Sequence, residues 1–69
     1  MRLREYMKNG YLSNEKLAEN MDESVRTVEK WARGERYPRP AAQKKIMEIT
    51  NGMVPPNDIF KTYIERNDA

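Results

Sequence analysis

Three observations predict an all-α fold, a compact bundle of five helices. Apolar residues recur at helical spacing in five separate windows, each bounded by a capping residue, a glycine or a proline. No stretch of four or more residues alternates apolar and polar side chains with β-branched enrichment, so no sheet is expected. The 69 residues are enough for one small domain, which buries roughly 60% of the surface its unfolded chain exposes and is stable by on the order of 3–5 kcal/mol. The expected organisation is a single folded unit over 1–64 and a frayed tail over 65–69.

The first helix is expected over 2–9, where Leu3, Tyr6 and Met7 fall on one stripe. Asn9-Gly10 stops it, because glycine takes the left-handed conformation just past a helix end without a steric cost. Tyr11-Leu12 is a short apolar link. Ser13 then caps a second helix of about Asn14 to Met21, in which Leu17, Ala18 and Met21 share a face and Glu15 suits the positive end of the helix dipole. Asp22-Glu23 has the composition of a turn. Ser24 caps the third helix, which puts Val28, Trp31 and Ala32 inward and closes at Gly34.

Pro38 and Pro40 push Tyr37 and Arg39 toward extended conformations, so the segment 35–40 is a loop. Pro40 fits the first position of a fourth helix, about Pro40 to Thr50, with Ala42, Ile46 and Ile49 inward. Asn51-Gly52 ends it. A fifth, shorter helix begins in the segment 54–58 and reaches about Tyr63, burying Ile59, Phe60 and Tyr63.

The net charge is only +2, but its distribution is uneven. From Arg26 to Lys45 seven cations stand against two acids, a local charge of +5, while the other positions hold six cations and nine acids and sum to −3. Such segregation is a plausible footprint for a polyanion, though a solvated charged surface also produces it. Cys and His are both absent, which removes disulfides, thiolate metal sites, the commonest general base and the commonest zinc ligand. With no glycine-rich phosphate loop and no carboxylate cluster, an enzyme is the least expected class, and no cofactor or metal is expected. No apolar run approaches the ~18 residues that span a bilayer, and no signal-peptide core follows Met1, so a cytoplasmic, nucleoid-associated protein is the expectation and no membrane partner.

The two short helices on either side of Asp22-Glu23 have the form of a helix-turn-helix, whose second helix can enter a DNA major groove. With Val28 and Trp31 inward, Val25, Arg26, Glu29, Lys30 and Arg33 are left near the outer side of the third helix. Arg26 can grip guanine O6 and N7 in a fork worth about 1–3 kcal/mol of discrimination. Val25 can touch a thymine methyl, and Lys30 can reach a guanine or a phosphate. Glu29 has two equally weighted roles, accepting from cytosine N4 or forming a surface pair worth little. Asn14 and Ser24, at helix N-termini, suit phosphates, as do Arg33 and the loop residues Arg36, Tyr37 and Arg39. Trp31 reads as core rather than as a stacking platform.

From Leu12 to Gly34 the chain resembles the helix-turn-helix of the lambda-repressor-like family, the Cro/CI and XRE-type regulators. Leu12, Ser13, Leu17, Ala18, Ser24, Thr27, Val28, Trp31 and Gly34 match the family pattern without a gap. The link Glu35-Arg36-Tyr37-Pro38-Arg39-Pro40, the Asn51-Gly52 stop and the close at Pro56 to Phe60 continue the likeness. Three positions depart from it: Asp22 stands where the turn usually has glycine, Glu23 where an apolar residue usually packs, and Glu15 where alanine is usual.

The resemblance implies a five-helix lambda-repressor-like domain that binds double-stranded DNA. It further implies base readout by Val25, Arg26 and Lys30, with Glu29 as a fourth candidate, and backbone contacts from Asn14, Ser24, Thr27 and Arg33, joined by Arg36 and Arg39. Family members commonly bind near-palindromic operators as dimers with half-sites about one helical turn apart. A homodimer is therefore expected, and at this length a short Cro-like repressor of a phage or prophage. The candidate dimer surface is the last helix, where Ile59, Phe60, Tyr63 and Ile64 offer more apolar residues than a short terminal helix buries. The competing expectation is a protein-interaction module, an antitoxin or anti-repressor-like partner, which the acidic excess outside 26–45 would suit.

Overall fold

Serine caps, left-handed turn residues and a proline set most of the helix boundaries. The computed structural model describes residues 1–67, and within them the elements are α1 (Leu3–Lys8), α2 (Asn14–Met21), α3 (Val25–Arg33), α4 (Pro40–Ile49) and α5 (Pro56–Asn67). Ser13 Oγ accepts from Lys16 N at 3.2 Å and Ser24 Oγ from Thr27 N at 3.1 Å, so both serines satisfy an otherwise orphaned donor of the following helix. Pro40 occupies the first turn of α4, where its missing N–H costs nothing.

Left-handed residues follow the ends of the first four helices: Asp22 (φ 57°) after α2, Gly34 (φ 78°) after α3, Asn51 (φ 54°) and Gly52 (φ 81°) after α4, and Gly10 (φ 81°) after α1. At Asp22, Glu23 N donates to Ala18 O at 2.9 Å and Asp22 N to Glu19 O at 3.2 Å, which satisfies the last carbonyls of α2. Asp22 thus takes the left-handed geometry of the glycine that usually stands there, at a small cost that a short polar side chain tolerates.

The core gathers Leu3 and Tyr6 from α1, Leu17, Ala18 and Met21 from α2, Val28, Trp31 and Ala32 from α3, Ile46 from α4, Val54 from the following loop and Ile59 from α5. Helices α1, α4 and α5 therefore pack the inner faces of the helix-turn-helix formed by α2 and α3, and Trp31 is core. Two buried polar residues hold connections. Gln43 Nε2 donates to Pro38 O at 2.8 Å, and Thr50 Oγ1 donates to Ile46 O at 2.8 Å while accepting from Val54 N at 3.2 Å.

The last helix differs most from expectation. It starts at Pro56 and continues four residues past Tyr63. The segment expected to fray is helical through Asn67, and 68–69 lie outside the described residues. Its outer turns are tied down by partners distant in sequence: Arg2 makes two hydrogen bonds to the Glu65 carboxylate at 2.8 and 3.0 Å, and Asn67 Nδ2 donates to Gly34 O at 3.2 Å. The Arg2 guanidinium holds the Glu65 carboxyl below its ordinary pKa by hydrogen bonding to its charged form. At the other end of α5, the Met1 ammonium donates to Asp58 Oδ2 and to Met53 O, both at 2.6 Å, and lowers the Asp58 pKa.

Phe60 is not buried as expected. It remains 46% exposed, because Ile59 takes the inward position and the next residue lies a quarter-turn away. Its ring meets the edge of Tyr37 at a centroid distance of 6.1 Å, and Tyr37 also packs on Tyr63 at 5.3 Å. The other boundaries move by one residue, with α1 starting at Leu3 and α4 ending at Ile49.

Candidate nucleic-acid interface

The outer face of α3 follows from its periodicity. At roughly 100° per residue, Val28 points to the core and Arg26, Lys30 and Arg33 gather on the opposite side. Arg26 and Arg33 are exposed and Lys30 half-buried. Glu29 lies on one flank of this stripe and Thr27 on the other, each about a quarter-turn away. Val25 is half-buried and packs against the core, so its side chain sits at the edge of the outer face rather than at its centre.

A concave surface adjoins each flank. On the Thr27 side is a groove of about 860 Å³, lined by Met21, Trp31 and Tyr63 and by three cations, Arg36, Arg39 and Lys45, against two acids, Glu23 and Glu35. On the Glu29 side is a groove of about 370 Å³, lined by Arg4, Met7, Lys8, Asn14, Glu29, Ala32 and Arg33. The protruding helix face therefore stands between two basic channels.

Five of the six expected phosphate contacts line the channels, and Ser24 lines neither. Thr27, Arg36 and Arg39 line the larger groove, with Lys45 of α4 added. Asn14 and Arg33 line the smaller one. Ser24 and Thr27 share a hydroxyl hydrogen bond of 2.9 Å at the exposed start of α3.

Two more of these side chains have partners within the protein. Asn14 Nδ2 donates to Glu29 Oε2 at 3.2 Å, and Arg33 Nε donates to Glu35 Oε2 at 2.7 Å. Glu35 also lies 3.7 Å from Arg66 of α5. The Arg33 hydrogen bond holds the Glu35 carboxyl below its ordinary pKa, keeping it charged beside α3. Arg36 and Arg39 have no ion pair among the described residues.

Sequence reasoning missed Arg4 and Lys8. A count by segment left the first helix outside the basic stretch, yet folding brings both cations to the channel that holds Asn14 and Arg33. Their spacing of four residues, which puts them on one side of a helix, was the available signal. Of the three departures from the family pattern, Asp22 forms the turn. Glu15 is exposed in the first turn of α2, where the dipole favours it, and Glu23 is exposed on the rim of the larger groove.

A helix-turn-helix between basic channels, in a domain built only of helices among the described residues, defines the class: a DNA-binding helix-turn-helix regulator. A family model described as helix-turn-helix matches residues 3–55, most of the chain. The chain belongs to this family, the XRE-type, lambda-repressor-like helix-turn-helix proteins. Neither a curated protein nor a solved structure matches it. Among the described residues no helix is long and apolar enough to cross a membrane.

Proposed function

We propose that the protein is a transcriptional repressor of the short, Cro-like kind, which binds a near-palindromic operator as a homodimer and reads the major groove with α3. The observation that carries this reading is the outward stripe of Arg26 and Lys30 between two basic channels. Arg26 reads a guanine through its fork, Lys30 reaches a neighbouring guanine or phosphate, and Val25 contacts a thymine methyl at the edge of the face. Arg4, Lys8, Asn14 and Arg33 follow one strand's phosphates, while Ser24, Thr27, Arg36 and Arg39 follow the other's.

A single helix-turn-helix of this size buries too little DNA surface for tight specific binding, which favours two copies on one site. The exposed Phe60 and Ile64 of α5, 46% and 37% accessible, are the apolar residues available for that contact.

Selection of bound duplexes from a random pool tests the reading. The expected product is an inverted repeat with half-sites about one helical turn apart. If no sequence is enriched, or if Arg26→Ala leaves the enriched sequence unchanged, base readout by α3 is wrong. Sedimentation with the selected duplex gives the stoichiometry, and one copy per site at tens of micromolar protein would exclude the dimer.

A further inference from the structure

The smaller channel beside α3 contains one residue that opposes its charge. Arg4, Lys8 and Arg33 line it together with Glu29. At roughly 100° per residue, Glu29 is turned away from the Arg26 and Lys30 stripe toward α1 and the start of α2. Its Oε2 accepts from Asn14 Nδ2 at 3.2 Å, whereas Oε1 has no hydrogen bond among the described residues. No cation among them lies within salt-bridge distance of Glu29. The neutral amide thus fixes the carboxylate in place without cancelling its charge.

We propose that Glu29 is a sequence-independent attenuator of DNA affinity, held in the phosphate channel by Asn14, rather than a base reader. The proposal rests on the DNA-binding reading above and concerns the same surface. Attraction between cations and phosphates supplies essentially all of a protein's affinity for non-specific DNA. A fixed, unpaired carboxylate in that channel repels whichever phosphate enters it, whatever bases lie nearby. Non-specific complexes, which have no base contacts to compensate, become shorter-lived, and the protein moves on along DNA. Asn14 is a positioning residue here, since it acts through Glu29.

The test compares the full chain with Glu29→Gln on two probes, a random-sequence duplex and the duplex recovered by selection. Glutamine retains an acceptor for Asn14, and a thermal melt of each variant checks folding. Glu29→Ala provides a second variant without the acceptor. The expected result is tighter binding to both duplexes by the same factor, about two- to fivefold at low salt, shrinking toward unity as salt screens the repulsion, with the selected sequence unchanged.

Unchanged affinity for the random duplex would overturn the proposal. So would a loss confined to one base pair of the selected site, as expected of a carboxylate accepting from cytosine N4. Failure of the wild-type chain to bind any duplex at low salt is read before either variant is made. It overturns the DNA-binding reading itself.

Discussion

The two ends of α3 are built for opposite purposes. At its start, Ser24 caps the helix within its own turn, and Arg26 projects into solvent with no partner among the described residues. At its finish the chain is fastened to α5 on three counts. Gly34 approaches so closely that a Cβ there would lie 2.7 Å from Thr62 O, Asn67 Nδ2 donates to Gly34 O at 3.2 Å, and Glu35 joins Arg33 to Arg66. One end is free to touch a ligand because the other end sets the direction of the whole helix. A reading helix needs both, since a contact aimed from an unanchored rod has no register.

Five substitutions test that contrast, and the largest effect falls on the anchored end. Gly34→Ala forces a side chain into left-handed backbone at φ 78° and against the Thr62 carbonyl. It should cost about 2–4 kcal/mol in chemical denaturation, most of the margin of so small a domain. Gly10→Ala is the control: its φ is +81°, but nothing lies within 4 Å of the added carbon, so only about 1 kcal/mol should be lost. Equal losses at the two glycines would mean that the approach of α5 contributes nothing.

At the free end, Arg26→Ala should cost about 1–3 kcal/mol of binding to the selected operator and change stability by no more than about 0.5 kcal/mol. A matching fall in stability would show that this end, too, is structural. Ser24→Ala removes the cap and should lower stability by about 1 kcal/mol, as read by thermal melting. The smallest effect is a gain: Asp22→Gly relieves a left-handed aspartate and should stabilise by about 0.5 kcal/mol.

The number of helices, their order and most of their boundaries were legible because they depend on neighbours along the chain. Ser13, Ser24, Gly34 and Pro40 act on residues within one turn of themselves, and the stripe Val28, Trp31, Ala32 marks its own inward face. The errors arose where distant segments meet. The end of α5 looked frayed because its anchors, Arg2 and Gly34, stand at least 33 positions away from Glu65 and Asn67. Phe60 is a different case: it was expected to be buried together with Ile59, but adjacent helical positions lie a quarter-turn apart and Ile59 already fills the inward one. In the candidate binding surface, the outward set on α3 followed from periodicity alone. Its surroundings did not, since the nearness of Arg4 and Lys8 to Arg33, and of Asn14 to Glu29, belongs to tertiary packing.

The hydrogen bond from Gln43 to Pro38 O has a further consequence for the loop after α3. Pro38 is buried, its carbonyl is held at 2.8 Å by a buried amide of α4, and Pro40 locks the next turn. The segment bearing Arg36 and Arg39 is therefore fixed when the protein folds, not when a ligand arrives. Ordering a loose loop costs about 1–2 kcal/mol per residue in lost conformational entropy. Here that cost falls on folding, so the attraction of these two arginines for a polyanion is not spent on straightening the chain that carries them. Loosening the bracket with Gln43→Ala would transfer part of the cost to the binding step.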